Sequence, residues 1–426
     1  CIGTMLFTSI YGIVDGLCVS NFVGKTAFAA VNLIMPLPML LGTIGFMLGT
    51  GGSAIVGITL GEGDQKKADR YFTLFLLAAL VSVSVLAVLG IVFLRPIAVL
   101  LGAKGELLDY AVRYGRILMV SLPTFALQNM FQSFFVTAEK PHLGFWFTVG
   151  AGCTNMVLDV LMVGVWGWGV EGAAIATFIS QLVGGVLPVF YFIDRSNSSR
   201  LHLCKTSFYS KVLRDACING SSELMTNLSM SLVNILYNYQ LLRLAGENGV
   251  AAYGVIMYAA FLFVAVFVGY AVGSAPIVSF HYGARNHAEV HNLYRKSLRL
   301  IAVVAVTLTL ASMFIIPCVA RIFVGYDAEL LALTSRAFRL YALSFLIMGF
   351  NVYASSFFTA LGDGVTSALI SFLRTLAFQV IAILLLPMLL GIDGIWLAVT
   401  AAELAALAVS AAMLLTKDKV FHYRKV

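Results

Sequence analysis

Charge is the scarcest property of this sequence. Its 426 residues include 27 basic and 20 acidic side chains, 11% in all, against about 25% in an ordinary soluble domain. A water-soluble fold must coat itself with charge. A soluble enzyme, a disordered chain and a secreted scaffold are therefore excluded. Cysteine is sparse too: six residues, widely separated and without a CxxC pair, frame neither a disulfide network nor a metal cluster. HExxH, GxSxG and Walker patterns are missing, which removes an intramembrane protease and an ATP-driven pump. The chain reads as a non-enzyme without a cofactor. It opens at Cys1, already inside an apolar stretch and without Met, so a short N-terminal piece is expected to precede it.

What is abundant is apolar. Hydrophobic residues make up 60% of the chain and the mean hydropathy is +0.95. A bilayer-crossing helix takes about 20 apolar residues, so there is material for about twelve. Apolar runs fall at about 1–23, 27–60, 71–94, 118–138, 143–165, 169–193, 212–244, 249–280, 298–324, 341–361, 367–390 and 394–415. The predicted fold is an all-α polytopic membrane protein, twelve transmembrane helices in two pseudo-symmetric six-helix lobes. The longest polar stretch, 194–211, reads as a linker between a first lobe at 1–193 and a second at 212–416, with a tail at 417–426.

Placing both termini in the cytoplasm puts seventeen of the bases on the cytoplasmic side and nine opposite, with Arg374 inside a span. That bias follows the positive-inside rule and predicts a multi-pass membrane protein with both termini inside. The bases are scattered over short loops and form no patch for nucleic acid.

The halves repeat. GSAIVGITLGEGDQKKA at 52–68 matches GSAPIVSFHYGARNHAEV at 273–290, and GVEG at 169–172 matches GIDG at 391–394. An offset of 223 pairs Gly102 with Gly325, Glu106 with Glu329, Arg113 with Arg336 and Arg116 with Arg339. Six spans separate the copies, so both enter the membrane in the same sense, as in transporters built from parallel repeats.

Ionisable groups inside a span are costly and need a reason. Four acids qualify: Asp15, Asp159, Glu223 and Glu403. Thr4, Thr8, Tyr11 and Asp15 share one helical face, and their partners 223 residues on are Asn227, Ser231, Asn234 and Asn238. Such stripes line a wet cavity or bind helices together. Asn155 and Asp159 are four apart and share a face, with Thr177 mid-way along the sixth span. Two carboxylates in a water-poor site cannot both ionise easily, so an Asp15–Asp159 pair can take up and release a proton. With the oxygens of Asn155 and Thr177 it can instead bind Na+. The partners of Asp159 and Asn155 in the second half are Ala382 and Phe378.

YGIVDG at 11–16, GTGGSAIV in the second span, NMVLD at 155–159 and the two-times-six layout together resemble the multidrug and toxic compound extrusion (MATE) transporters, in particular the bacterial branch of MepA-like and DinF-like members. The resemblance covers the whole chain. It implies two six-helix lobes in the bacterial cytoplasmic membrane, exporting organic cations against inward H+ or Na+. It also implies a cation site at Asp15, Asn155, Asp159 and Thr177, with Tyr11 as the aromatic one turn earlier. The substrate cavity is expected at Tyr11, Thr8, Gln128, Gln132, Asn227, Ser231, Asn234 and Asn238. The second-lobe acids of the NorM-like branch fall on Met230 and Met348 here, a departure. Secondary candidates are Glu223, read as a helix-start acid facing the linker, and Arg374 with Glu403, read as a buried ion pair. The partners implied are amphiphilic small molecules and the bilayer, with the monomer as the working unit. A flippase for lipid-linked oligosaccharides and a passive channel or scaffold are the alternatives.

Two further patterns carry less. Gly45, Gly49, Gly51 and Gly52 read as close helix contacts, and His287 with His291 as residues of a solvated loop.

Overall fold

The computed structural model describes residues 1–10, 30–31, 33–101, 103–324 and 328–423. Tyr11 and Asp15 lie outside the described residues. Among those described there is no strand. The chain divides into two compact units, the first essentially residues 3–220 and the second 221–426.

The first unit runs α1 (residues 2–10), α2 (Pro36–Gly61), α3 (Gln65–Leu100), α4 (Glu106–Thr137), α5 (Pro141–Asp159), a π-helical segment Val160–Val165, α6 (Gly169–Gly185), α7 (Leu187–Ile193) and α8 (Ser210–Asn219). Its helices meet through small residues, because without a hydrophobic drive between helices in lipid, close backbone approach supplies the packing. A side chain on Gly45 would run into the Ala126 backbone, and one on Gly49 would come within 3.0 Å of Met130 Cα. Gly45 and Gly49 thus form the seam between α2 and α4, while Gly52 faces Phe75 of α3 and Gly51 faces Ala216 of α8. A phenylalanine cluster closes the same unit: Phe131 stacks on Phe192 at 5.6 Å and Phe72 tilts against Phe134 at 4.8 Å.

The second unit runs α9 (Ser221–Gly283), two helices joined where Gly246 takes φ 61°, then α10 (His287–Val324), α11 (Ala328–Ala342), α12 (Phe345–Ala360), α13 (Gly364–Phe372), a π-helical segment Leu373–Ala377, α14 (Phe378–Leu390), α15 (Ile392–Thr416) and α16 (Asp418–Phe421). Its core joins Tyr237, Ile256, Phe338, Phe345 and Trp396.

Eight described helices are long and apolar enough to cross a membrane, nine if the bent pair α11 and α12 is one span. Outside that test stand α1, described over residues 2–10, and two helices too polar for it. These are α4, which carries Gln128, Asn129 and Gln132, and the first part of α9, which carries Asn227, Ser231, Asn234 and Asn238. The two failing helices hold six of the eight candidate cavity residues; Thr8 lies on α1 and Tyr11 outside the described residues.

The internal repeat is visible in the backbone and in ion pairs. Left-handed residues recur at Gly63 and Arg285, Glu139 and Gly362, and Gly169 and Gly391. Arg113 pairs with Glu171 at 3.7 Å in the first unit, and their repeat partners Arg336 and Asp393 pair in the second. Asp64 accepts from the Lys67 N–H at 3.0 Å, and Asn286 from the Glu289 N–H at 3.1 Å. Both open a helix by satisfying a free amide of its first turn.

Three expectations need correcting. Helices outrun their apolar cores: α4 begins at Glu106 rather than near 118, and α10 at His287 rather than near 298. Glu106, Asp109 and Glu289 stand in their first turns, where acids suit the helix dipole. Residues 212–219 belong to α8 and to the first unit, so the seventh span starts at Ser221. The HAEVH stretch is no solvated loop. His291 Nδ1 lies 3.0 Å from the Tyr423 carbonyl oxygen, and the Tyr423 ring is fully buried against Phe357 and Tyr294. The start of the tail therefore packs onto the second unit.

Candidate functional site

The first-unit site grows from the way α5 ends. Regular α-helix stops at Asp159 and the chain winds on as a π-helix over Val160–Val165. Such wide turns are rare and occur often at functional sites, because they re-aim the residues beside them. Asp159 is fully buried, and Asn155, one turn earlier, is 2% exposed. A carboxylate so placed needs polar company.

The neighbouring helix α6 supplies Thr177. Its hydroxyl donates to the Ala173 carbonyl at 3.0 Å, which leaves its lone pairs for Asn155 Nδ2 at 3.5 Å, the outer limit of a hydrogen bond. Asn155 Oδ1 is buried and accepts no hydrogen bond from a described group. An amide oxygen, a hydroxyl and a carboxylate on two packed helices form a set of hard oxygen donors, suited to H+ or to a hard cation.

The other first-unit candidates are less concentrated. Thr8 is half-buried and donates to the Thr4 carbonyl at 2.9 Å. Gln128 is buried against α6, where a side chain on Gly184 would come within 2.7 Å of its Cδ. Gln132 is half-buried. Two residues escaped the sequence reading. The amide nitrogen of Asn129 and the amide oxygen of Gln181 are buried without a hydrogen bond to a described group. Gln181 stands one turn after Thr177, so following that face of α6 would have found it.

In the second unit the polar stripe divides. Asn227 donates to the Glu223 carbonyl at 2.9 Å and Ser231 to the Asn227 carbonyl at 3.4 Å, so both serve their own helix. Asn234 accepts from the Tyr253 hydroxyl at 2.7 Å, and the Tyr253 ring stacks on Tyr237 at 4.9 Å. Asn238 is exposed. Glu223 stands in the first turn of α9, where its carbonyl oxygen accepts from Asn227.

Arg374 and Glu403 form the expected pair, Nε to Oε1 at 3.2 Å, with Glu403 fully buried. The pair has more support than the sequence suggested. Asn351 donates to Glu403 Oε2 at 2.7 Å, and Ser410 donates to Asn351 Oδ1 at 2.9 Å. A hydroxyl cluster follows on α12 and α13, where Ser355 lies 2.9 Å from both Ser367 and Ser371. Arg374 sits on the π-helical segment of its span, as Asp159 adjoins the one in the first unit. Among the described residues no three of His, Cys, Asp or Glu gather to hold a metal ion.

Known proteins resemble the chain along its whole length. The MatE family model matches twice, at residues 1–161 and 224–385, and the two matches start 223 residues apart, the offset of the internal repeat. The multidrug export protein MepA of Staphylococcus saprophyticus is 21% identical over 425 residues, covering 98% of this chain and 92% of the relative. A MATE protein crystallised in complex with MaL6 superposes with a TM-score of 0.93 at 22% identity, covering 99% of this chain and 94% of the other. A MOP superfamily transporter from Pyrococcus furiosus, reported with a binding pocket of reverse polarity, gives 0.91 at 23% identity over 100% of this chain and 95% of the other. The chain belongs to the MatE family, and its fold is that of the MATE transporters, with twelve membrane helices in two lobes.

Proposed function

We propose that this protein is a secondary active multidrug exporter, moving amphiphilic organic cations out of a bacterial cell in exchange for H+ or Na+. The observation that carries the reading is fully buried Asp159, one turn after Asn155, whose amide lies 3.5 Å from the Thr177 hydroxyl. The repeat counterpart of this set has no acid, since Ala382 and Phe378 occupy the equivalent positions. An ion-coupled antiporter needs one group that is charged in one step and neutralised in another, and a buried carboxylate meets that need. Asp15 is the proposed second carboxylate.

The cycle is alternating access. A cationic drug enters from the cytoplasm or inner leaflet, and aromatic, Met and amide side chains hold it loosely enough to accept varied shapes. Entry of H+ or Na+ at Asp15 and Asp159 from outside favours the drug-releasing state, and loss of the ion inside resets the lobe. Both termini face the cytoplasm on the positive-inside bias, and the monomer is the working unit. The flippase alternative needs a free base for a pyrophosphate, and Arg374, the one base the sequence places within a span, is engaged by Glu403.

Ethidium uptake into proteoliposomes under imposed pH or Na+ gradients tests the proposal. Export should follow one gradient and vanish in Asp15→Asn with protein level unchanged. Normal gradient-driven export by Asp15→Asn would sink the coupling role.

A further inference from the structure

Beside the first unit's transport candidates lies a groove that the proposed cycle does not use. It encloses about 480 Å³ between α3 and the segment that joins the two halves. Leu77, Ala78, Val81 and Ser82 form one wall, with Phe208 and Leu213 opposite.

The α3 wall belongs to a longer stripe. Leu77, Val81, Val85, Val88 and Val92 are 45%, 62%, 55%, 61% and 65% exposed, and their steps of three and four residues put them on one helical face. In a membrane-crossing helix such a face meets lipid tails, so the groove is the end of a lipid-facing stripe. Phe208, 76% exposed, overhangs that end from the connecting segment.

The overhang is tied down. The His202 N–H donates to Asp69 at 3.0 Å, the Cys204 N–H to Thr73 Oγ1 at 3.1 Å and the Thr206 hydroxyl to the Arg70 carbonyl at 2.8 Å. Tyr71 and Tyr209 pack edge to face at 5.5 Å. A side chain as apolar as Phe208 is thus held in the open rather than left there by a loose loop.

Exposed bases flank the lining residues along the chain. Lys205 precedes lining residue Thr206, Arg214 follows lining residue Leu213, and Lys211 is two positions before it; all three are exposed. Exposed Lys66, Lys67 and Arg70 stand on the first turns of α3. The acids of this zone are Glu62, Asp64, Asp69 and Asp215. Asp64 and Asp69 are taken by backbone N–H groups, and Asp215 faces Arg214 at 3.5 Å. An apolar slot at the end of a lipid-facing stripe, flanked by bases, has the chemistry of a site for an acyl chain with an anionic headgroup.

We infer that an anionic phospholipid of the adjoining leaflet occupies this groove, with an acyl chain against Leu77, Val81 and Phe208 and its phosphate at Lys205, Lys211 and Arg214. The bound lipid fastens the connecting segment to α3.

Native mass spectrometry of the full chain in detergent, titrated with dioleoyl phosphatidylglycerol or dioleoyl phosphatidylcholine, tests this. One phosphatidylglycerol should be retained at least about fivefold more than phosphatidylcholine. The triple variant Lys205→Gln, Lys211→Gln, Arg214→Gln should bring the two lipids level. Ala78→Trp, which fills the slot, should remove the retained lipid, and Phe208→Ser, at an exposed position that tolerates change, should weaken it by about threefold. Equal retention of both lipids by the unaltered chain overturns the site. So does a phosphatidylglycerol preference that survives Ala78→Trp and Phe208→Ser, because charge alone would then explain it. Should Ala78→Trp fail to fold, Phe208→Ser and the charge variant decide.

Discussion

Arg374 Nε and Glu403 Oε1 meet at 3.2 Å inside the second unit, and Asn351 holds the other carboxylate oxygen at 2.7 Å. The guanidinium comes from a π-helical segment and the carboxylate from α15, so the pair joins two elements. Buried charges of this kind gain little net stability over an apolar pair, but a lone survivor is expensive.

Arg374→Ala and Glu403→Ala should each therefore cost about 3–5 kcal/mol, while Arg374→Met with Glu403→Leu should recover most of the loss. Thermal melting in detergent reads the difference. A double variant as unstable as either single one would show that the charges do not compensate each other.

Gly220 and Gly51 set the crossing of α8 over α2. A side chain on Gly220 would overlap the Met47 carbonyl, and one on Gly51 the Ala216 carbonyl. Both obstacles are backbone and cannot rotate away. Gly220→Ala should cost about 1–3 kcal/mol through overpacking, and Gly254→Ala, where no atom lies within 4 Å, should be close to neutral. Equal melting temperatures for the two variants would refute the crossing.

Asp363 links stability to pH. Desolvation pushes its pKa up, but the Lys417 ammonium at 2.8 Å and the N–H and hydroxyl of Thr366 outweigh that, and the carboxyl is held below the ordinary range. A lowered folded-state pKa gives stability that is present above the unfolded value, about 3.9. That stability is lost as pH falls through the lowered one. Asp363→Asn keeps the helix cap, because Asn caps as well as Asp, but removes the charge. Melting should show the variant less stable near neutral pH, with the gap closing in acid. A gap constant from about pH 7 to about pH 3 would contradict this.

Asn155 and Thr177 should not weigh equally in transport. Thr177 spends its proton on the Ala173 carbonyl, whereas the Asn155 oxygen is buried with no described donor. Asn155→Ala should raise the ion concentration for half-maximal ethidium export about tenfold, and Thr177→Val about threefold. Gradient-titrated proteoliposome assays measure both, and a larger effect from Thr177→Val would reverse the assignment.

The lobes and their repeat were legible because the bilayer imposes long apolar runs and because turn chemistry survived duplication, as in GVEG and GIDG. Arg113 with Glu171 and Arg336 with Asp393 then appear as the same ion pair made twice. Helix starts were less legible, since a polar first turn such as the one at Glu106 resembles a loop in hydropathy. The π-helical turn after Asp159 leaves no trace in residue spacing, because packing rather than local preference inserts the extra residue. Asn351 was missed for a related reason. It is a neutral amide on a helix whose other polar residues are hydroxyls, and only the fold brings it to Glu403.

The boundary after Gly220 has a consequence for biosynthesis. Every contact that α8 makes with α2 lies on the N-terminal side of that boundary. A nascent chain can finish packing its first half as soon as residue 220 clears the insertion machinery, before the second half has been inserted. Chains cut after residue 220 should then emerge as a protease-resistant product. Chains cut at 193 lack the helix that presses on Gly51 and should be degraded.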